Sequence, residues 1–415
     1  MNPLPEKPCE LMETPKKEDA DTFEVDLRIA RKIQSAMAPR RLPAVEGLEL
    51  SSLFLPCPKI GGNLFDVIAV SEDMLSLYIF DVAGQGISAA LIAAMAKVTF
   101  CEQIRALSSP RLVMERVNTH LAQHLGAKGY LTAVIAFLDL HNNKLTYCNA
   151  GHTAPLLYRG KARIVEPLCS TGAMVGVNDQ VFYEEKCLYV YPGDWLFFFT
   201  DGIYRLFSNE NESIGRMLLE KDIMNTPGNR SPAPFIGSLP ERSNSARFGE
   251  ELVDDVTAVA VEFLTQSRKN QIKEKLGFTE NDPVYLQYIS YFEEMDKSAA
   301  IILSAMDSLG FPDENIRKMK IILTELFANA IYHGNAGDHS KKVTVGHIID
   351  KTKVIISIMD EGVGFDPNKI PDPTLPENLI KDCGRGLFIV RSYVDKLYFN
   401  ETANRVTVIK NNGAR

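Results

Sequence analysis

Apolar residues recur at helical spacing over residues 23–38, where Ile29, Ala30, Ile33, Ala36 and Met37 share one face until Pro39 stops the run. The spacing predicts an amphipathic regulatory helix within 23–43, preceded by a tail, 1–22, whose Pro, Lys, Glu and Asp leave little to bury and predict disorder. From about residue 44 the period changes. Short alternating or wholly apolar runs at 74–80, 130–139, 144–149, 195–199 and 256–263 are separated by turn signals such as His141-Asn142-Asn143 and Pro192-Gly193-Asp194. One helix, from Ser88 to about Ala106, interrupts them. Strands joined by short turns pair antiparallel, so 44–264 reads as an α+β sheet domain. Residues 226–250, rich in Pro, Gly, Ser and Asn and without a period, read as a mobile loop close to whatever the domain does.

The charged stretch 265–283 reads as a linker. A second α+β domain, 284–412, follows, with helices expected over 284–309 and 313–333 and strands over 342–349 and 353–359. A Pro-rich loop, a short helix after Gly386 and a strand over 405–409 complete it. There is no internal repeat.

Composition agrees with two or three domains, since 415 residues exceed one ordinary core of about 150. A hydrophobic content of 45% excludes disorder as the main state. With 45 Lys+Arg against 53 Asp+Glu the net charge is −8, and no basic block offers a footprint for nucleic acid or an anionic membrane. A phosphate-bearing ligand therefore needs a local site. The seven cysteines are scattered and include no C-x-x-C pair, as expected of reduced cytoplasmic thiols. The first residues lack the apolar core of a signal peptide, and the longest apolar helical stretch, 87–98, falls short of the roughly 20 residues that span a bilayer. A soluble cytoplasmic chain is expected.

Chemistry enters at the strand ends. Asp81 closes one apolar run, Asp201 closes another, and Asp254 and Asp255 open a third. Antiparallel pairing can bring such ends to one edge, and Asp oxygens without His or Cys suit a hard cation, Mg²⁺ or Mn²⁺. Gly84-Gln85-Gly86-Ile87-Ser88-Ala89 also fits G-x-G-x-x-A, but no βαβ unit with an acidic ribose partner follows, so a dinucleotide site is not expected.

The segments IQSAMAPRRLP, PCPKIGGNLFDV, DVAGQGISAALIAAMAK, YLTAVIAFLDL, LTYCNAGHTAPLLY, FFFTDGI and DDVTAVAV occur in that order from Ile33 to Val261. Together they resemble the bacterial phosphatases of the metal-dependent PP2C superfamily that act on sporulation and general-stress regulators. The resemblance implies a β-sandwich flanked by helices, with two Mn²⁺ or Mg²⁺ ions activating water against phosphoserine or phosphothreonine. It implies that Asp81 bridges both ions, that the Gly84 turn shapes the site, and that Asp201 with Asp254 completes one ion's shell, Asp255 being the weaker candidate of its pair. Where that family has Gly-Gly-Asp, this chain has Gly61-Gly62-Asn63. A neutral amide offers an oxygen without charge, so weak or Mn²⁺-demanding activity is expected, with Asp66 the nearby carboxylate able to compensate. His152, in the Asn-Ala-Gly-His motif, is expected to be structural, and His120 with His124 to line a solvated helix face.

In the second domain Glu325, Asn329 and His333 are four apart and so share one helical face. Asp360-Glu-Gly362-Val-Gly364 follows an apolar run, and Gly384-Arg385-Gly386-Leu387 precedes a helix, where backbone N–H groups favour phosphate. In this order the three segments resemble the N, G1 and G2 boxes of the GHKL (Bergerat) α/β-sandwich ATP-binding fold, most closely the anti-sigma-factor serine kinases. The resemblance implies that Asn329 holds Mg²⁺ with His333 beside it and that Asp360 bonds the adenine amino group. Gly362 and Gly364 would hinge the nucleotide loop, and Gly384, Arg385, Gly386 and Leu387 would surround the phosphates of ATP. Glu325 would be the general base for a partner's hydroxyl. A sensor histidine kinase needs a phosphoacceptor His on a preceding hairpin, and residues 265–332 contain no His.

The expectation is thus a bifunctional switch, a metal-dependent phosphatase and an ATP-dependent serine kinase acting on an anti-sigma-factor antagonist of the STAS type. A sigma or anti-sigma factor would be a further partner, and the 23–38 helix a point of input or homodimerisation. The alternatives are an inactive phosphatase that sequesters a partner under control of ATP, and a phosphatase with a nucleotide sensor.

Overall fold

The structure, a computed structural model, describes residues 17–39, 42–43, 45–57, 60–71, 73–125, 129–208, 211–225, 232, 235–239, 255–289, 292–338, 341–367 and 385–413. The first element is a helix, α1 (Lys17–Met37), beginning before the expected start at residue 23. Strands β1 (Leu48–Leu55), β2 (Leu64–Ala69) and β3 (Met74–Val82) lead into helices α2 (Ile87–Ala106) and α3 (Pro110–Leu125). Strands β4 (Leu131–Asp139), β5 (Lys144–Ala150), β6 (Leu156–Arg159), β7 (Ile164–Pro167), β8 (Lys186–Tyr189) and β9 (Trp195–Phe199) follow. Two helices, α4 (Tyr204–Phe207) and α5 (Glu212–Asn225), separate β9 from β10 (Val256–Phe263).

These strands form two antiparallel sheets, β1-β10-β9-β6-β7 and β2-β3-β4-β5-β8. The reason β9 reads as an unbroken apolar run is that both its faces are covered. Leu196 and Phe198 point into the core between the sheets with Val259 and Val261 of β10, while Trp195, Phe197 and Phe199 point outward into a second core with Leu219, Ile223, Phe235 and Leu239. Phe235, Ile236 and Leu239 fall inside the stretch expected to be a mobile loop; their apolar side chains pack as a helical turn, while the rest of 226–250, apart from 232 and 235–239, lies outside the described residues. On the far side α2 and α3 cover the other sheet, so the domain is layered α-β-β-α.

The helix α2 runs longer than the expected apolar stretch, and by length and hydropathy it would suffice to cross a bilayer. Its Ala89, Ala93, Ala96, Phe100 and Ile104 are instead buried in the sandwich core. α3, with Pro at its first position and Val113, Met114, Val117 and Leu121 inward, was signalled in the sequence only by the helical spacing of His120 and His124.

The stretch expected as a linker holds a helix, α6 (Gln266–Lys275), capped by the Thr265 hydroxyl, which accepts from Arg268 N–H at 3.2 Å. The expected helix over 284–309 is divided: Tyr285–Ile289 is a strand, β11, and the helix α7 is Phe292–Ser308. β11 carries two tyrosines and an isoleucine, residue types that suit a strand, and it pairs antiparallel with β12 (Val343–Ile349), so sheet pairing overrides helical spacing. Next come α8 (Asp313–Ala328), a π-helical turn at Asn329–Gly334, β12, β13 (Lys353–Met359), α9 (Arg385–Tyr393), β14 (Lys396–Phe399) and β15 (Arg405–Asn411). The sheet order is β11-β12-β13-β15-β14.

One face of this sheet packs on α7, α8 and α9 through residues such as Ile302, Leu323, Phe327, Val345, Ile356 and Val390. The opposite face is met by the end of α6. A Cβ at Gly346 would stand 2.8 Å from Leu276 Cδ1, the Ser357 hydroxyl donates to Leu276 O at 2.7 Å, and Arg405 Nη1 donates to Lys275 O at 2.8 Å.

Candidate functional site

Four segments of the first domain meet at one edge of the sandwich. Asp81 sits near the end of β3, and its strand runs into a turn where Gly84 (φ +100°) and Gly86 (φ +89°) take left-handed backbone that favours glycine. Gly86 N–H donates to Ile60 O at 2.9 Å, which ties this turn to the Gly61-Gly62-Asn63 loop. A Cβ at Gly62 would stand 2.8 Å from Val82 Cβ, so close packing also demands glycine there. Asp201 opens a one-turn 3-10 helix after β9. Asp255 precedes β10, is 1% exposed, and takes the Cys57 N–H at 2.8 Å. Burial pushes its carboxyl up, against hydrogen bonds from Cys57 and the Asn63 backbone. Asp254 lies outside the described residues.

Among the described residues no three His, Cys, Asp or Glu side chains are gathered into a ready cation cage. The donor set nevertheless fits a hard oxygen-seeking ion. Asp201 Oδ1 is buried without a partner, and a buried lone carboxylate oxygen is costly unless a cation or donor reaches it. Asn63 is 1% exposed with Nδ2 unpartnered, and turning the amide over would set its carbonyl oxygen where that unpartnered Nδ2 now stands. Asp66 does not compensate for Asn63. It faces α2, where Lys97 Nζ pairs with its Oδ2 at 2.6 Å and Val67 N–H donates to its Oδ1 at 2.8 Å, so its charge is already neutralised.

His152 is held by Asn149, whose side chain accepts the His152 N–H at 2.8 Å, and its Nδ1 is 2.9 Å from the Thr132 hydroxyl. Thr132 stands opposite Asp81 in the β3–β4 register. Burial lowers His152 to about 4, which keeps it neutral. His120 and His124 lie side by side on the exposed side of α3, their ring centroids 4.5 Å apart and the planes tilted by 37°. Sequence reasoning missed two residues here, Thr132 and Gln34. Gln34 of α1 is 8% exposed and its Nε2 donates to Gly61 O. A polar residue amid the apolar positions of an amphipathic helix was the only signal.

In the second domain the π-helical turn begins at Asn329, and Asn335 N–H reaches back to Ala330 O at 2.8 Å. The wider turn breaks the four-residue spacing expected for Glu325, Asn329 and His333: the first two are half-buried and His333 is exposed. Asp360 follows β13 with its N–H on Asn404 O at 2.9 Å, and its Oδ1 accepts Gly362 N–H at 2.8 Å. Burial raises its carboxyl. The glycines around it are close-packing residues: a Cβ at Gly334 would overlap the Asp360 carboxylate, and one at Gly362 would overlap Gly334 O. Gly364 (φ +75°) lies against Thr402 O. Asn335, 2% exposed, accepts Glu361 N–H at 2.8 Å and locks the helix end to the Asp360 loop; it too was missed, for want of any periodicity signal.

The first turn of α9 abuts α8, since a Cβ at Gly386 would overlap Glu325 Oε2. This places the N-terminal end of α9, where phosphate is favoured, beside the half-buried Glu325 carboxylate. Leu387 is buried at 9% exposure. Arg385 is the first residue of α9, while Gly384 and the Pro-rich loop lie outside the described residues.

Comparison with known proteins follows the same division. Residues 71–264 match the family described as Stage II sporulation protein E, SpoIIE, and residues 293–410 match the histidine kinase-like ATPase domain. The first domain is similar to the phosphoserine phosphatase RsbU of Bacillus subtilis, 24% identical over 196 residues, which are 47% of this chain and 58% of that protein. The chain thus spans less than two thirds of that relative's length. The second is similar to the serine-protein kinase RsbW of Listeria monocytogenes, 26% identical over 131 residues, 30% of this chain and 83% of that kinase. Among solved structures, the SiaA-PP2C domain of Pseudomonas aeruginosa superposes with a TM-score of 0.50 at 20% identity, covering 59% of this chain and 98% of that one, and shares the fold.

Proposed function

We propose, for a chain that joins a SpoIIE PP2C-type domain to a histidine kinase-like ATPase domain, a cytoplasmic bifunctional switch that removes phosphate from a partner protein and restores it from ATP. The partner is a small anti-sigma-factor antagonist of the STAS type, with a sigma or anti-sigma factor as the downstream target. The observation that carries the reading is the pairing in one chain of two sites suited to phosphate, the strand-end Asp edge with its unpartnered Asp201 oxygen and the glycine-walled Asp360 loop beside α9.

At the phosphatase edge Asp81, Asp201 and Asp254 supply anionic oxygens, Asn63 a neutral one, and the left-handed Gly84 turn leaves room for phosphate. Divalent cations, Mn²⁺ or Mg²⁺, supply there the charge that polarises water and steadies the phosphate oxygens. In the kinase domain Asp360 accepts from the adenine amino group, and the Gly362–Gly364 loop with Gly384, Arg385, Gly386 and Leu387 encloses the phosphates, with Asn329 and His333 on the Mg²⁺ side. Glu325 takes the proton of the partner's serine as the hydroxyl oxygen bonds to the γ-phosphorus and the bond to ADP breaks.

The partner, or its phosphoserine form, is incubated with the chain, ATP and Mg²⁺ or Mn²⁺. Glu325→Ala is expected to abolish phosphorylation and leave dephosphorylation intact, and Asp201→Ala the reverse. Phosphorylation that survives Glu325→Ala overturns the kinase assignment.

A second reading, a weak phosphatase that mainly sequesters its partner under control of ATP, is favoured by two observations: Asn63 adds no charge, and Asp66 is neutralised by Lys97. The two readings separate on Asn63→Asp, which is expected to tighten Mn²⁺ binding and raise turnover; a variant still without turnover supports sequestration.

A further inference from the structure

We propose that Asp255 is the positioning residue of the phosphatase centre: its side chain fastens the Asn63 loop while its main chain braces the Asp201 turn, so one residue sets the spacing between the two segments that carry donors. The inference rests on the phosphatase reading above.

The side chain reaches both ends of the Asn63 loop. Oδ1 accepts Cys57 N–H at 2.8 Å, and the carboxylate also takes hydrogen bonds from the Cys57 thiol and the Asn63 backbone. Between these ends Gly61 lies flat against the carboxylate, because a Cβ there would overlap Oδ2. The main chain does the rest. A Cβ at Gly202 would overlap Asp255 O, and the Thr200 hydroxyl donates to the same oxygen at 3.4 Å. Thr200 N–H donates to Thr257 O at 3.0 Å, and Thr257 N–H donates to the Thr200 hydroxyl at 3.2 Å, which ties the turn to β10 on both sides.

The base is stiff, since every residue of β10 is buried. With its oxygens engaged by residues 57 and 63, the Asp255 carboxylate is committed to the loop. Positioning partners of this kind typically change metal affinity by about 10–100-fold when altered, because donors must sit within a fraction of an ångström of their working places.

The test is Mn²⁺ titration of the full chain by calorimetry, with binding of a non-hydrolysable ATP analogue at the other domain as the control for folding. Asp255→Asn keeps the shape but sets an NH₂ group against the loop's N–H donors. Its dissociation constant for Mn²⁺ is expected to rise by about tenfold or more, with the number of ions per chain and analogue binding unchanged. Gly61→Ala, which displaces the carboxylate while keeping Asp255, is expected to act in the same direction, and it carries the test if Asp255→Asn does not fold. Mn²⁺ affinity within about twofold of wild type in the folded variants overturns the inference, given the effect such partners have. Loss of one ion per chain in Asp255→Asn, with the remaining affinity unchanged, also overturns it and makes Asp255 a ligand. A wild-type chain that takes up no Mn²⁺ overturns the phosphatase reading together with the inference, whereas unchanged variants overturn the inference alone.

Discussion

His347 shows how a residue remote from either site still sets a property of the molecule. It is 5% exposed, faces the helices from β12, and has Gln287 Nε2 3.4 Å from its Nδ1, with the Ser298 hydroxyl donating to Gln287 Oε1 on the far side. Burial lowers it to about 4, against about 6.5 in an unfolded chain. The unfolded state therefore binds the extra proton first, so stability is full above about 6.5 and is lost as pH falls toward 4. The loss amounts to about 3 kcal/mol at most. His347→Leu is expected to flatten the acid side of the second domain's thermal-unfolding profile between those limits; a profile as steep as wild type would mean that other groups carry the acid lability. Asp66 teaches a complementary lesson. Next to Asn63 in sequence it looked like a replacement ligand, but strand alternation turns its carboxylate to Lys97 on the helical side of the sheet.

At the scale of elements, α1 matters through one contact. Its Gln34 side chain donates to Gly61 O, on the same glycine that lies flat against Asp255. The helix expected as a point of input or homodimerisation is hydrogen-bonded to the loop that presents Asn63. Gln34→Ala removes a net contribution of about 1 kcal/mol and leaves a buried carbonyl without this donor. Hydrogen exchange is expected to speed up at the C-terminal half of α1 and at Gly61-Gly62-Asn63 while the second domain is unaffected; protection unchanged at both places would show that α1 is held by Met37 and Ala38 at its end, since Ile29 and Ile33 of the expected apolar face are exposed. The π-helical turn at Asn329–Gly334 is a comparable case, since it detaches His333 from the face shared by Glu325 and Asn329 and delivers Asn335 to the Asp360 loop.

At the scale of the whole molecule, the two domains meet around one carboxylate. Glu49 of β1 pairs with Arg268 of α6 at 3.1 Å and with Lys342, just before β12, at 2.8 Å, and Arg268 also approaches Glu262 at 3.6 Å. Lys342 Nζ lies 5.5 Å from the Tyr288 ring centroid, and Lys342 N–H donates to Glu361 Oε2 at 3.3 Å. Glu361 adjoins Asp360, so the junction touches the Asp360 loop. An exposed ion pair contributes about 1 kcal/mol or less, but the Glu49, Arg268 and Lys342 side chains are only 15–31% exposed, and reversing a charge inside such a network costs more. Lys342→Glu sets two carboxylates against each other, and small-angle scattering is expected to show a larger radius of gyration; a scattering curve identical to wild type would mean that α6 alone holds the domains.

The sequence by itself determined the α+β class, most strands of the first sandwich and the order of the candidate chemistry. Those features depend on local period, on turn residues and on motifs read along the chain. It did not disclose which carboxylates stay available. Asp66 and Asp255 are both aspartates beside glycine-rich or strand-end motifs, and only packing decided that one is spent on Lys97 and the other on Cys57 and Asn63. The stretch 285–289 turned into a strand because β12 offered it a pairing edge, and 266–275 became a helix wedged between two sheets because Leu276 and Glu49 gave its ends something to hold. Partner strands, buried hydrogen-bond donors and opposing charges come from residues tens to hundreds of positions away. The amino-acid order carries the local preferences, and tertiary structure alone decides which polar groups are left for function.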